Sequence, residues 1–277
     1  MKETCASGGV PNEMKQALED ITVSLENVKH KILVLSGKGG VGKSTVSYLL
    51  SIILAKKHRV GVLDLDLCGP SMPLLFNAPN EPLLDTSFGF EPCRVAKNIS
   101  LASIQFFLDN DDDPVIARGP KKNALVLQLI KELDWGDTDI MVVDTPPGTS
   151  DEHLAVVSFM SQSGIDGAVI VTTPDEVSIS DVRREIRFCQ RANIKILGVV
   201  ENMSCYKCPF CDQESTIFER TTGGAAKLCE QENLKLLGQI PIDPTIVAGK
   251  IGDGIPLSES VESAANNFVE NLMKEMQ

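Results

Sequence analysis

The chain has 277 residues, 43% of them hydrophobic, and a formal net charge of −12. This length allows a sizeable core, in one large α/β domain or two small ones. The negative charge argues against a nucleic-acid surface, because binding to a phosphate backbone needs clustered cations. The sequence has no run of 18 apolar residues and no apolar signal region at its N-terminus. We therefore expect no membrane span and a cytosolic or nuclear location.

Residues 1–30 are predicted to form a polar tail followed by a short amphipathic helix over 12–27. Cys5 lies in the tail beside Ser7 and Gly8, and composition alone favours a free thiol in a flexible arm. Residues 31–277 contain no stretch typical of a linker, so we expect one domain there.

The sequence GKGGVGKST at residues 37–45 matches the phosphate-binding loop G-x-x-x-x-G-K-S/T of nucleotide triphosphatases. An apolar strand is predicted before it, at 32–35, and a helix after it, at 43–57. Bound phosphates would therefore lie at a helix N-terminus. Lys43 supplies positive charge near the β- and γ-phosphates, and the Ser44 hydroxyl is a ligand for Mg²⁺.

The same stretch fits a second nucleotide motif. Gly37, Gly39 and Gly42 satisfy the dinucleotide fingerprint G-x-G-x-x-G, and Asp64 follows at about the 20-residue spacing of a ribose-binding acid. The residues after Gly42 favour the triphosphate, because a lysine and a hydroxyl suit phosphate and metal rather than helix packing.

Two further apolar strands end in carboxylates. The strand at 60–66 ends in Asp64 and Asp66, and the strand at 140–144 ends in Asp144. Since parallel α/β sheets bind ligands at the carboxyl ends of their strands, we expect Asp64 or Asp66 to act on Mg²⁺ or on the attacking water. Asp144 has the position of the acid that holds Mg²⁺ through water. For all three, the alternative is a cap on a turn.

The turn Thr-Pro-Pro-Gly at 145–148 is stiff and suited to sensing a γ-phosphate. The acidic run at 109–113 is interpreted as a solvated loop, since it lacks the pattern of a calcium loop. His153 stands alone in the sequence and is interpreted as a surface or capping residue rather than a catalyst.

In the second half of the chain, strands alternate with helices. We predict strands at 167–172, 195–200 and 234–240 and helices at 178–191 and 258–275, which indicates a mostly parallel sheet flanked by helices. Asn202 and the turn from Pro241 to Asp243 follow strands. They are candidates for contacts to a purine base, with simple turns as the alternative. The guanine signature Asn-Lys-x-Asp is absent from the sequence, so ATP is favoured.

Three of the eight cysteines, Cys205, Cys208 and Cys211, are closely spaced in a predicted loop. Thiolates at this spacing can grip one metal, but three cannot close a tetrahedral zinc site or a cubane cluster. A redox pair and inert thiols are the alternatives, and the spacing leaves zinc or iron–sulfur open. The next cysteine, Cys229, stands alone, which favours a site shared between two chains.

Together these motifs resemble a known family. The loop at 37–45, with its second lysine Lys38, is similar to the deviant phosphate loop of the MinD, ParA and nitrogenase iron protein class. The segments 63–71, 143–153, 200–204 and 208–211 then resemble the Mrp/Nbp-type (NUBP) P-loop ATPases, which are scaffolds for cytosolic iron–sulfur cluster assembly.

This resemblance implies a homodimer, or a heterodimer or heterotetramer with a related ATPase. It also implies downstream cluster-transfer proteins as partners. Lys38 would reach the partner's nucleotide, and Cys208 and Cys211 of each chain would hold one bridging [4Fe–4S] cluster. Cys5 looks like the last ligand of the N-terminal four-cysteine site of the eukaryotic branch.

The resemblance also implies the roles of the nucleotide site. Lys38, Lys43 and Asp66 are catalytic, and Ser44, Asp66 and Asp144 hold Mg²⁺. The implied nucleotide contacts are Gly37, Lys38, Gly39, Gly40, Val41, Gly42, Lys43, Ser44, Thr45, Asn202, Pro241 and Asp243.

We therefore expect a slow, regulatory ATP hydrolase that assembles [4Fe–4S] clusters and passes them to cytosolic and nuclear apo-proteins. Its ATPase domain would span 31–277, with an inserted cysteine loop at about 203–217. One alternative is a partition or positioning ATPase, which needs a basic DNA face or a membrane-binding tail that the acidic last helix does not offer. The other is a zinc-stapled nucleotide-binding adaptor.

Overall fold

A computed structural model of the chain describes residues 12–67, 69–79, 81–87, 89–107, 119–148, 151–161, 163–208, 210–211, 213–247 and 257–277. The expectations for Cys5 and for the acidic run at 109–113 lie outside the described residues. Within the described part, no helix is both long and apolar enough to cross a bilayer.

The centre of the molecule is a mostly parallel sheet, as the sequence predicts. Its parallel strands are β1 (His30–Ser36), β2 (Val60–Asp64), β6 (Ile99–Ser103), β7 (Ile140–Asp144), β8 (Gly167–Thr172), β9 (Ile196–Lys207) and β11 (Leu236–Ile242). The antiparallel strands β5 (Cys93–Ala96) and β10 (Glu214–Ser215) pair with β6 and β9. The order is β10-β9-β8-β1-β7-β2-β6-β5, with β11 also paired to β9. The strands β3 (Leu84–Thr86) and β4 (Gly89–Glu91) form a separate antiparallel pair.

Helices cover both faces of the sheet, which is why the central strands are apolar throughout instead of alternating. One core contains side chains of α1 (Asn12–Ser24), α4 (Gly119–Glu132), α5 (Asp151–Ser161), α6 (Glu176–Arg191) and α7 (Gly224–Glu232). The other contains side chains of α2 (Lys43–Leu54), α3 (Met72–Leu75), α8 (Pro244–Val247) and α9 (Glu259–Glu275).

The first helix packs on this core. Leu18, Ile21 and Leu25 are buried among the residues of the first core. The Ser24 hydroxyl donates a hydrogen bond to the carbonyl of Leu133 at 3.0 Å, just beyond the end of α4. The helix before the phosphate loop is therefore tied to the same core as α4 and α5.

The strand β9 is longer than predicted. It runs from Ile196 to Lys207, so Cys205 lies in a strand rather than in a loop, and Asn202 lies inside the strand rather than at its end. The extension is stabilised by partners on both sides, because β11 pairs as far as Tyr206 and β10 pairs with Tyr206 and Lys207. Parallel pairing of β1, β8 and β9 places the phosphate loop and the end of β9 at the same edge of the sheet.

Candidate functional site

The loop between β1 and α2 has the backbone of a phosphate cradle. Gly42 begins α2 with a φ of 79°, a left-handed conformation that favours glycine, and no side chain caps the helix. The first N–H groups of α2 are therefore left to a ligand. A cavity of about 370 Å³ opens over the loop. Its lining includes Lys38, Gly39, Gly40, Gly42, Lys43, Ser44, Thr45, Asp66 and Pro147.

Lys43 and Ser44 meet the end of β7 at this cavity. The Lys43 Nζ lies 2.8 Å from Asp144 Oδ1 and 3.9 Å from Asp66 Oδ2. The Ser44 hydroxyl donates to Asp144 Oδ2 at 2.6 Å, and the Ser47 hydroxyl donates to Asp144 Oδ1 at 2.7 Å. The structure thus brings together the predicted phosphate lysine and the three predicted magnesium ligands, and it adds Ser47, which sequence reasoning missed.

The two carboxylates at the end of β2, Asp64 and Asp66, have different surroundings. Asp64 is fully buried and accepts hydrogen bonds from the backbone N–H of Asp66 at 3.1 Å and from the Ser103 hydroxyl at 3.2 Å. Burial raises the pKa of Asp64 to about 8. The charge of Asp144 adds to this shift, while Lys43 acts in the opposite direction. Asp66 lines the cavity. This geometry favours Asp66 over Asp64 as the residue that would contact the metal or the attacking water. Asp64 instead holds the backbone of Asp66 through a buried hydrogen bond.

The turn after Asp144 is held against β1. The Thr145 hydroxyl donates to the carbonyl of Val34 at 2.8 Å, and the Gly148 N–H donates to the carbonyl of Ser36 at 2.8 Å. His153 is fully buried behind this turn, so the prediction of a surface residue is wrong. Its ring lies among the residues of the first core and against Phe188, and this packing could not be inferred from an isolated histidine in the sequence.

Lys38 forms an ion pair with a residue of its own chain, Asp175. Its Nζ lies 3.4 Å from Asp175 Oδ1, and Asp175 caps α6 by accepting the Ser178 N–H. Burial acts to raise the pKa of Asp175. Hydrogen bonds from Thr173 and Ser178 and the charge of Lys38 outweigh it and hold this pKa below its ordinary value. Asp175 was missed as a site residue, although an Asp before a predicted helix is a recognisable cap signal.

The predicted base contacts lie further along the sheet. Asn202 is buried, and its Nδ2 donates to the carbonyl of Val41 in the phosphate loop at 2.9 Å. Pro241 and Asp243 lie at the end of β11. Pro241 lines a separate groove of about 610 Å³ that also includes Cys205. A direct contact therefore joins β9 to the phosphate loop, and the roles of these residues toward a base stay predictions.

The cysteines lie on a hairpin that extends β9. The Cys208 N–H donates to the carbonyl of Gln213 at 3.0 Å at the start of the connection to β10. Cys208 is half-buried, Cys211 is exposed, and the Phe210 side chain between them is 96% exposed. Cys205 lies in the strand itself. Across the described residues, no group of three or more His, Cys, Asp or Glu side chains is arranged to hold a metal ion.

Comparison with known proteins gives consistent relatives. The family described as NUBPL iron-transfer P-loop NTPase matches residues 27–277. The chain is 51% identical over 247 residues to the "Cytosolic Fe-S cluster assembly factor NBP35" of Eremothecium gossypii, covering 88% of this chain and 74% of that protein.

Two solved structures show the same architecture. A nucleotide-binding protein from Archaeoglobus fulgidus in complex with ADP is 33% identical, with a TM-score of 0.73, and the match covers 86% of this chain and 94% of that one. The septum site-determining protein MinD from Pyrococcus horikoshii, with Mg-ADP, is 21% identical, with a TM-score of 0.63 and coverage of 89% and 97%; it shows the fold alone. The chain belongs to the NUBPL iron-transfer P-loop NTPase family.

Proposed function

We propose that this chain is an ATP-dependent scaffold that assembles [4Fe–4S] clusters and transfers them to apo-proteins of the cytosol and nucleus. The observation that carries the proposal is one sheet edge that bears two sites. The phosphate loop with Lys43 lies at this edge, and β9 contacts that loop through Asn202 before it continues into the hairpin of Cys208 and Cys211. The similarity to a cytosolic iron–sulfur assembly factor supports the same function.

Nucleotide hydrolysis in general goes with membership of a P-loop NTPase family. We propose that the nucleotide is ATP and that turnover is slow and regulatory. The residues present fit this chemistry, because Lys43 offers a cation and Ser44, Asp66 and Asp144 offer oxygen ligands around the cavity. Bound Mg²⁺ supplies charge that neutralises the phosphate oxygens during transfer.

We further propose that the working form is a dimer with a second copy or with a related ATPase. A [4Fe–4S] cluster takes four thiolates, and the hairpin offers Cys208 and Cys211. The side chain of Lys38 is 34% exposed at its contact with Asp175, so a partner chain can reach it. A dimer that closes on ATP would bring the cysteine pairs of the two chains together. It would also bring Lys38 of each chain to the nucleotide of the other. Partition and positioning roles are less favoured, because the relative that spans most of this chain is an assembly factor.

The test is anaerobic reconstitution with iron and sulfide. The parent chain is expected to bind about two iron atoms per chain, half of a [4Fe–4S] cluster. The double substitution Cys208→Ala with Cys211→Ala should lose this binding, and Cys93→Ala should keep it, because Cys93 lies in β5 away from the hairpin.

Equal iron in the parent and the double variant would contradict the scaffold function. Elemental analysis of protein purified without oxygen distinguishes the scaffold from the alternative, a zinc-stapled nucleotide-binding adaptor. The adaptor would contain zinc in place of iron and sulfide.

A further inference from the structure

A buried pair of side chains lies beside the nucleotide site without any part in the proposed chemistry. His153 in α5 and Glu185 in α6 both have fully buried side chains, and the His153 Nε2 lies 3.0 Å from Glu185 Oε1. The other ring nitrogen, Nδ1, lies 3.0 Å from the carbonyl oxygen of Pro146. Ionisable side chains are seldom fully buried unless they have a specific partner. We therefore asked what this pair connects.

The contact with Pro146 fixes one proton of the His153 ring. A carbonyl oxygen only accepts hydrogen bonds, so His153 Nδ1 carries a hydrogen and donates it to Pro146. Nε2 then faces Glu185 Oε1 at 3.0 Å, the distance of an ion pair. Each ring nitrogen therefore has one polar neighbour, Pro146 at Nδ1 and Glu185 at Nε2.

The Pro146 carbonyl belongs to the turn that follows Asp144. Two other positions of this turn, Thr145 and Gly148, are bonded to the carbonyls of Val34 and Ser36 on β1. The hydrogen bond from His153 therefore attaches the turn to helix α5, while those of Thr145 and Gly148 attach it to the sheet. Any movement of the turn changes the contact between Pro146 and His153.

Helix α6, at the other end of the pair, also touches the phosphate loop. A Cβ on Gly37 would lie 2.6 Å from the backbone carbonyl carbon of Asp181, so α6 and the loop are packed backbone against backbone. Asp175 at the start of α6 holds Lys38 at 3.4 Å. Glu185 and Asp175 are about 15 Å apart along the helix, at 1.5 Å per residue. One helix thus connects the turn to Lys38.

We propose that His153 and Glu185 are positioning residues that couple the 145–148 turn to α6, so that a displacement of the turn by a γ-phosphate reaches Asp175 and Lys38. The inference rests on the proposed function in that the site must bind ATP. Separating the pair would leave buried polar groups without their partner, which is unfavourable whether or not they are charged, so the turn and α6 move together. The release of Lys38 for a partner's nucleotide is then governed from within the same chain.

Hydrogen exchange measured by mass spectrometry tests the coupling without relying on turnover. Exchange is compared for the parent without nucleotide, with Mg-ADP and with the slowly hydrolysed analogue Mg-ATPγS, in peptides that cover the turn and residues 176–184 of α6. In the parent, both peptides are expected to differ between the two nucleotides. Glu185→Leu should keep the response of the turn and lose that of α6.

Two variants serve as controls. Glu185→Gln keeps a polar side chain of the same size that can donate to His153 Nε2, and it should show the parental pattern, which a general loss of stability would not do. Ile186→Val removes one buried methyl from the adjacent position of α6 and should also leave both responses intact. If Glu185→Leu does not fold, the double substitution His153→Phe with Glu185→Leu replaces the pair by apolar groups, which is often neutral for stability, and should show the same loss.

An α6 response that survives undiminished in Glu185→Leu overturns the coupling, as does a parent in which the turn responds and α6 does not. A parent whose exchange changes with neither nucleotide refutes nucleotide binding itself, and the coupling with it.

Discussion

Lys43 neutralises a set of carboxylates that would otherwise face each other at the end of the sheet. Its side chain is 5% exposed, and it lies within 4 Å of both Asp144 and Asp66. In a nucleotide-free chain this cation compensates buried negative charge, and the same cation is positioned to meet a γ-phosphate. The stability of the chain therefore depends on this cation, and under the proposed function so does hydrolysis.

We expect Lys43→Ala to abolish ATP turnover and to lower the free energy of unfolding by about 3–5 kcal/mol, the usual cost of removing one partner of a buried ion pair. Phosphate release and chemical denaturation measure the two effects. Lys57→Ala, which truncates an exposed lysine just after α2, should change neither. Turnover retained in Lys43→Ala would show that this loop is not the hydrolytic site.

Asp64 makes stability depend on pH in an unusual direction. Its pKa is about 8 in the folded chain and near 3.8 when the chain is unfolded, so between these values the folded state binds one proton more than the unfolded state. The free energy of unfolding therefore falls as pH rises from about 4 to 8, by up to about 1.4 kcal/mol per pH unit. Its contribution is fully present below the unfolded pKa and lost above the folded one.

Denaturation of the nucleotide-free chain between pH 5.5 and 8.5 measures this slope. Asp64→Asn has no titratable proton at this position, so its free energy of unfolding should change less with pH. The same slope in both proteins would mean that Asp64 is ionised throughout.

At the residue level, the local structure predicted from sequence agrees with the observed one where the residues are contiguous. Residues 37–42 form the loop between β1 and α2 that their motif predicts, because neighbouring residues decide its conformation. The sequence does not predict the site contacts between residues that are distant along the chain. Lys38 and Asp175 are 137 positions apart, and Ser47 and Asp144 are 97 positions apart. A single sequence does not show which distant polar residue will meet a given lysine or hydroxyl.

At the level of elements, α1 contributes to the core although it lies before the family match at 27–277. Ile21 is fully buried, whereas Val23 on the same helix is 69% exposed. We expect Ile21→Ala to lower the free energy of unfolding by about 2–5 kcal/mol, through lost burial and an unfilled cavity. Val23→Ala is the matched control and should be within about 0.5 kcal/mol of the parent. Equal effects in a denaturation series would mean that the helix is not docked in solution.

The elements themselves were predicted with unequal success. Apolar runs such as β1, β7 and β8 identify buried strands, and their alternation with helices gives the confirmed parallel sheet. The sequence predicts the end of β9 several residues too early, because residues 203–207 do not continue the apolar run of the strand. Pairing with β10 and β11 makes them a strand, and such pairing is decided by the tertiary fold rather than by local sequence.

For the whole molecule, the charge of −12 opposes the proposed dimer. Two such chains repel each other at low salt, and the range of this repulsion is about 10 Å at 0.1 M ionic strength and shorter above it. We expect the fraction of dimer, measured by analytical ultracentrifugation with Mg-ATP, to rise with salt. A dimer that dissociates as salt is added would instead indicate an interface held by opposite charges.

The long strand β9 also limits how a phosphate can influence a cluster. Asn202 touches the phosphate loop, and Cys208 follows after six residues, which is about 20 Å of extended chain. Across that distance in water, two unit charges interact by only about 0.2 kcal/mol. Exchanging ATP for ADP without any movement would therefore leave the reduction potential of a cluster on the hairpin almost unchanged. The nucleotide would control where the cluster is held and when it leaves, and the electronic character of the iron would remain that of its thiolates and its solvent.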